Sequence, residues 1–191
     1  MREVSNMKAL VIYESIFGNT REIAEMIAEG LSGSFDEVEL AEVNDGDSSM
    51  NGIDLLVLGG PTHVWSMSRQ VTRDDARTKA EDKGITPVSQ GSKGIREFVY
   101  DLPHDDGDTL AATFDTRVQK GWIPSGSAAG SAAKRLKKKG YQLFAQPQQF
   151  EVLDTGGPLQ SGELERATEW GKTLGEQALE TISREPVAAG S

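Results

Sequence analysis

The segment from residue 8 to residue 31 constrains the fold more than any other part of the chain. Residues 8–13 are a short apolar run of strand type, and residues 15–20 form a sharp turn that contains a glycine and two hydroxyl side chains. Apolar residues then recur at helical spacing at Ile23, Ala24, Ile27 and Leu31. The segment therefore predicts a buried strand that turns directly into an amphipathic helix.

The turn at residues 15–20 has the composition of an anion-binding loop. Backbone N–H groups at the start of a helix lack intrahelical acceptors, and the helix dipole favours negative charge there. We therefore expect a phosphate group at this turn. A simpler interpretation is that Asn19 is only the N-cap of the helix, with Glu22 completing a capping box. That interpretation does not account for Ser15 and Thr20 on either side of the cap.

On these residues the chain resembles the flavodoxin family, whose first loop commonly has a Ser or Thr followed by Gly-Asn-Thr at the start of the helix. The matching residues are Ser15, Gly18, Asn19 and Thr20, and Phe17 lies in the same loop. In that family the loop holds the 5′-phosphate of FMN without a basic side chain inside it. The resemblance therefore implies FMN as the cofactor, and it leaves the following Arg21 outside the site.

Length and composition exclude several classes of protein. The 191 residues suit one domain, for which we expect a leader at residues 1–6, a single domain at residues 7–183 and a tail at residues 184–191. No apolar stretch approaches the roughly 20 residues of a membrane helix, and residues 1–6 have no secretory pattern, so we expect a cytoplasmic protein. The absence of cysteine excludes thiol chemistry and disulfides, and the two histidines lack metal-motif spacing. We predict no metal site and no catalytic residue.

The charge of the chain bears on its partners. Thirty acidic and twenty basic residues give a formal net charge of −10, which argues against nucleic acid and anionic membranes. An acidic surface suits a basic redox protein, since opposite charges steer association. The basic cluster within residues 134–139 is interpreted as a solvated helix end, where cations complement the helix dipole before Gly140.

Further apolar runs predict a doubly wound sheet. After the first helix, strands are predicted at residues 35–40, 53–58, 110–114 and 141–145, with a resumption of the last strand at 150–153 beyond Pro147. Helices are predicted at residues 72–82, 95–102, 127–139 and 161–182, the last with Leu164, Ala167, Leu174 and Ala178 on its buried face. Alternating strands and helices indicate a parallel sheet with helices on both faces. We expect a flavodoxin-like α/β fold with five strands in the order 2-1-3-4-5, an order taken from flavodoxin itself.

The loop after the third strand supplies a second group of candidate residues. It contains Pro61, Thr62, His63 and Trp65, and it is similar to the Gly-Pro-Thr-His-x-Trp forms of some flavodoxins. In the family this loop packs on one face of the isoalloxazine ring, so the resemblance implies that Trp65 stacks on the flavin. The alternative is that Trp65 fills a gap beneath the long connection that follows.

The loop after the fourth strand departs from the family pattern. Asp115, Thr116 and Arg117 come early in this region, and Trp122 comes late. By the resemblance, backbone groups of Thr116 address the pyrimidine edge of the flavin, and Trp122 covers its other face. Arg117 near flavin N1 and O2 would favour the anionic hydroquinone, whereas the alternative is that Arg117 pairs with Asp115 or another surface acid.

The resemblance implies an electron-transfer protein rather than a stand-alone oxidoreductase. It would bind FMN, receive electrons from a reductase or a ferredoxin-like donor, and pass them to a redox partner. One alternative is an FMN-dependent NAD(P)H:quinone oxidoreductase on the same fold, in which His63 contacts the substrate. A second alternative is a flavin-free binding or scaffold protein, which the departure at residues 115–117 keeps open.

Overall fold

The computed structural model of the chain describes residues 6–45, 50–63, 66–118 and 126–184. The elements within these ranges are β1 (Lys8–Tyr13), α1 (Asn19–Leu31), β2 (Glu37–Glu42), β3 (Leu55–His63), β4 (Ser66–Met67), α2 (Gln70–Asp82), α3 (Ile95–Asp101), β5 (Leu110–Val118), α4 (Ala128–Lys138), β6 (Gln142–Leu143), β7 (Gln148–Val152) and α5 (Glu163–Arg184). The predicted limits of the domain, residues 7–183, stay a prediction.

The strands form a parallel sheet with the order β2-β1-β3-β5-β6, which confirms the predicted fold class. β6 pairs with the start of β5, and β7 pairs with its end, both in parallel. The predicted fifth strand is therefore present in two pieces, separated by the segment that contains Pro147. Proline cannot donate to a ladder, which explains the interruption.

Several predicted boundaries are wrong, and β3 shows the reason most clearly. β3 continues to His63 instead of ending at residue 58, because Gly59, Gly60 and Pro61 pair with β5 in the parallel ladder. The end of β3 then forms an antiparallel pair with β4, in which Thr62 lies opposite Met67. β2 lies two residues later than predicted, at Glu37–Glu42.

Apolar side chains cover the sheet on both faces, as expected for parallel strands. One face, with Val11 and Val57, packs against α1 and α5. The other face, with Ile12 and Leu58, packs against α3 and α4. On α5, Ala167, Leu174 and Ala178 are buried as predicted, but Leu164, in the first turn, is exposed. In the described part of the chain, no helix combines the length and the apolar character that crossing a membrane requires.

A third, smaller apolar cluster attaches α2 to the loop between β1 and α1. Ile16 packs there against Ala76 and Ala80 of α2, with Phe17 and Ile85 at its edge. The long connection between β3 and β5 therefore reaches back across the sheet to the loop at residues 15–18. This contact positions α2 beside the candidate anion site.

Candidate functional site

The loop between β1 and α1 ends at Gly18, which is the N-cap of the helix. Gly18 has a φ of 98°, a left-handed conformation that favours glycine, and its carbonyl accepts the first intrahelical bond from the Glu22 amide. Asn19 is already the first helical residue, and no side chain in the described part of the chain caps the helix. The alternative interpretation of Asn19 and Glu22 as a capping box is therefore wrong.

Three hydroxyl side chains lie beside this end of the helix, and two of their hydrogens have no acceptor among the described residues. Ser15 Oγ accepts a hydrogen bond from the Gly18 amide at 3.1 Å. Thr20 Oγ1 and Thr116 Oγ1 share one hydrogen bond at 2.7 Å. Within the ranges that the structure describes, no acceptor is found for the hydroxyl hydrogen of Ser15 or for the second hydrogen of the threonine pair. All three residues are buried, and a buried donor without an acceptor is costly.

The backbone of α1 adds further donors at the same place. The first residues of a helix have no intrahelical acceptor for their amides, and none of the described backbone carbonyls takes the amides of Asn19, Thr20 or Arg21. Arg21 itself pairs along the helix with Glu25, 3.3 Å away. The donors at this end of α1 are therefore amides and hydroxyls.

The loop is braced from outside by the segment that follows α2. The Ser15 amide donates to Ser89 Oγ at 2.9 Å, and the Ser89 amide donates to the Ser15 carbonyl at 2.7 Å. Ser89 Oγ donates in turn to Glu42 Oε1 at 2.6 Å. The Val88 amide also donates a hydrogen bond to the Ile16 carbonyl, at 3.0 Å. Sequence reasoning missed this brace, because Ser89 is 74 positions from Ser15 and carries no motif of its own.

A turn after β7 lies against the same loop. An added Cβ at Gly157 would lie 2.5 Å from Asn19 Oδ1, and one at Gly156 would lie 3.8 Å from the Phe17 ring and 3.1 Å from Lys83 Nζ. Lys83 forms an ion pair with Asp154 at 3.3 Å across this turn. Both glycines are close to their neighbours, so the turn packs directly on the loop.

The end of β3 carries the second group of predicted residues. Pro61 lies opposite Thr116 in the ladder, and Thr62 Oγ1 accepts a hydrogen bond from the Ala128 amide at 2.9 Å. His63 is partly buried. Its burial and the neighbouring Arg73 guanidinium lower the pKa of His63 to about 4, so the imidazole is neutral near pH 7. Trp65 lies outside the described residues.

The third group of predicted residues lies at the end of β5, and its side chains divide between the two faces of the sheet. Asp115 is fully buried and accepts the Ala129 amide at 2.9 Å, while its Oδ1 has no hydrogen-bond partner among the residues that the structure describes. Burial raises the pKa of Asp115. Together with Ser127, which caps α4, Asp115 and Thr62 bind the first amides of that helix. The alternative that Arg117 pairs with Asp115 has partial support, because the charge of Arg117 opposes the effect of burial and acts to lower the pKa of Asp115. However, no ion pair of Arg117 is found among the described residues, and its buried Nε has no hydrogen-bond partner there.

Thr116 faces the opposite side from Asp115. Its side chain meets Thr20 of α1 and therefore belongs with the first loop, which the sequence analysis did not foresee. The structure thus brings Ser15, Thr20 and Thr116 together at one helix end, and Thr62 and Asp115 together at another. Trp122 lies outside the described residues, and its assignment to the flavin stays a prediction.

A buried acid next to the loop was also missed. Glu14 directly follows β1 and is fully buried, and its Oε2 accepts hydrogen bonds from Ser68 Oγ at 2.7 Å and the Ile95 amide at 2.9 Å. Buried Arg73 also donates to Ser68, at 3.0 Å, and burial raises the pKa of Glu14. An added Cβ at Gly94 would collide with all three side chains. The position of Glu14, a charged residue directly after an apolar strand, was the sequence signal from which this buried acid could have been predicted.

Comparison with known proteins finds similarity both in sequence and in fold. The model of the flavodoxin domain family matches residues 10–73, and no curated protein sequence matches the chain. The fold is similar to that of a flavodoxin from the domain Archaea, with a TM-score of 0.62 and 19% identity over 91% of this chain and 99% of that one.

Two further solved structures are similar. Oxidised Flavodoxin 2 from Bacillus cereus has a TM-score of 0.60 and 22% identity over 91% of this chain and 99% of its own. The flavodiiron core of Flv1 from Synechocystis sp. has a TM-score of 0.60 and 14% identity over 94% of this chain but only 38% of its own. The same fold therefore occurs both as a separate chain and as part of a larger one.

Proposed function

We propose that this chain, whose resemblance to the flavodoxin family is confirmed by its fold and by the sequence of residues 10–73, is an FMN-binding redox protein. The 5′-phosphate of FMN binds at the N-terminus of α1. The observation that carries the proposal is the set of buried hydroxyl hydrogens on Ser15 and on the Thr20 and Thr116 pair that have no acceptor among the described residues.

The chemistry of these donors fits a phosphate ester. Phosphate oxygens accept hydrogen bonds and do not donate when ionised, so they match a site that offers spare hydroxyl hydrogens and helix amides. The positive end of the α1 dipole favours their charge. The braced backbone of Ser15 and Ser89 fixes the loop before binding, which lowers the entropy lost when the ligand binds.

Bound FMN supplies the redox chemistry, and the protein supplies binding, orientation and electrostatics. Ser15, Thr20 and Thr116 hold the phosphate, and α2 covers the apolar side of the loop at Ile16. His63 lies at the end of β3 as a neutral imidazole near pH 7, so it adds a hydrogen-bonding group without a charge. Asp115 and Arg117 lie one strand further along the same edge of the sheet.

The role that we propose is that of an electron carrier between two protein partners. The net charge of −10 supports a basic redox partner, a reductase or a ferredoxin-like donor being the expected source of electrons. The cytoplasmic location predicted from the sequence belongs to the same proposal.

The test is a titration of the purified, flavin-free protein with FMN, followed by flavin fluorescence. We expect one FMN to bind per chain. Thr116→Val removes the shared hydroxyl at nearly constant shape, and it should weaken FMN binding about tenfold, equivalent to roughly 1.4 kcal/mol. Thr116→Ser keeps the hydroxyl and is the matched control, for which nearly unchanged affinity is expected.

The same preparation separates the alternatives. Failure to take up FMN would contradict the proposal and favour a flavin-free scaffold. If the FMN-loaded protein turned over NADPH and a quinone without any added reductase, it would be an oxidoreductase and not a carrier. A carrier is expected to accept electrons only after a reductase is supplied.

A further inference from the structure

We propose that Lys83 is a specificity-determining residue of this site. Its ammonium group binds the phosphate of FMN, and before FMN binds it is held by Asp154. The inference rests on the proposed function and adds to it the cation that the loop itself lacks. Residues 15–20 contain no Lys or Arg, and Arg21 is engaged with Glu25 along α1.

Lys83 has a fixed attachment point beside the loop. It is the C-cap of α2, and α2 is anchored on the loop by the contact of Ala76 and Ala80 with Ile16. The Lys83 amide also bonds the Ala80 carbonyl at 3.0 Å. The backbone of Lys83 is therefore held in place, while its long flexible side chain can move its ammonium group between acceptors.

The side chain of Lys83 lies beside the turn after β7 that packs on the loop. On its way to Asp154 it passes Gly156, where an added Cβ would lie 3.1 Å from Nζ and 3.5 Å from Cδ. The same added Cβ at Gly156 would lie 3.8 Å from the Phe17 ring, and one at the adjacent Gly157 would lie 2.5 Å from Asn19 Oδ1. The ammonium group thus lies over the turn that packs on the anion-binding loop.

The ion pair with Asp154 is one that a phosphate can displace. Both side chains are substantially exposed, 48% for Lys83 and 69% for Asp154, and exposed ion pairs add little to stability. A phosphate dianion carries twice the charge of one carboxylate, so it is the stronger partner for the ammonium group. Asp154 would then remain beside the phosphate as a like charge that opposes binding.

The two members of the pair are therefore expected to act in opposite directions. Dissociation constants for FMN and riboflavin are measured by flavin fluorescence in the full chain, because riboflavin lacks the phosphate. Lys83→Gln should raise the constant for FMN about three- to tenfold, and Asp154→Asn should lower it about threefold. Neither change should move the constant for riboflavin, and Lys83→Arg should restore the wild-type ratio of the two constants.

An ion pair within α2, which does not involve Asp154, provides the control. Lys79 and Asp75 lie 2.7 Å apart and are both exposed, so Lys79→Gln and Asp75→Asn should leave the FMN-to-riboflavin ratio unchanged. If Lys83→Gln and Asp154→Asn shifted FMN binding in the same direction, or left the ratio at the wild-type value, the role of Lys83 would be refuted. Absence of FMN binding by the wild-type protein would refute the proposed function itself.

Discussion

At the scale of single residues, burial shifts the pKa of several side chains at the ends of the strands. Glu14 and Asp115 have raised pKa values because the fold removes them from water. His63 is affected in the opposite sense, since burial and Arg73 both oppose its protonation. These groups link the stability of the protein to pH even when no ligand is bound.

His63 allows the clearest test of this link. Its pKa is lowered to about 4 in the folded state from 6.5, so below pH 6.5 the unfolded chain takes up a proton that the folded chain does not. Stability is therefore lost as the pH falls, by up to ~1.4 kcal/mol per pH unit. We expect urea denaturation between pH 7 and pH 4 to show a smaller loss for His63→Gln than for the wild type.

The second histidine provides the control for this measurement. His104 is 71% exposed, so His104→Gln should retain the wild-type dependence of stability on pH. Superimposable profiles for His63→Gln and the wild type would show that His63 does not resist protonation in the folded protein.

At the scale of secondary-structure elements, the contact between α1 and α5 depends on two glycines. An added Cβ at Gly30 would lie 2.3 Å from the Thr168 carbonyl, and one at Gly171 would lie 2.4 Å from the Ile27 carbonyl. Backbone atoms cannot move aside as a flexible side chain can. The two helices therefore approach each other closely enough to exclude any side chain at these positions.

Gly171→Ala is expected to destabilise the protein by about 2 kcal/mol. Overpacking in a dense contact costs about 1–3 kcal/mol, and it outweighs the gain of up to about 1 kcal/mol from the better helix propensity of alanine where the contact cannot relax. The measurement is the urea midpoint, with Gly33→Ala as control, since no atom lies within 4 Å of an added Cβ there. Equal midpoints for the two variants would contradict the close helix contact.

The elements that sequence could predict are those defined by local patterns. The apolar run and turn from β1 to α1 predict a strand followed by a helix, and the alternation of strands and helices predicts a parallel sheet with helices on both faces, whereas the strand order was taken from the resemblance to flavodoxin. The extension of β3 through Gly59 and Pro61 was missed, because these residues have low strand propensity and only the ladder with β5 makes them a strand. Tertiary pairing of this kind has no local signature.

The candidate site was predictable to the same extent. Ser15 and Thr20 were found because they lie within one turn of the chain. The contact of the Thr116 side chain with Thr20 was missed, because the strand was expected to end at residue 114, and side chains alternate between faces only while a strand continues. Lys83 was missed because its partner Asp154 is 71 positions away, a separation that only the fold can bring together.

At the scale of the whole molecule, the dominant electrostatic feature is the excess of ten acidic residues over basic ones. Many of the ion pairs in the described part of the chain are exposed at both ends, as those of Lys79 and Lys93 are. Such pairs contribute little, whereas uncompensated carboxylates repel one another in the compact state. Repulsion should therefore outweigh pairing in the response of this protein to salt.

We expect the free energy of unfolding to rise with salt, by an amount on the order of 1 kcal/mol. Between about 0.01 M and about 0.1 M ionic strength the screening length falls from about 30 Å to about 10 Å, which weakens repulsion across the molecule. Urea denaturation at each NaCl concentration measures the effect, and KCl should reproduce it because screening does not depend on which monovalent cation is present. A free energy of unfolding that falls with added salt would mean that the ion pairs, and not the net charge, dominate the surface.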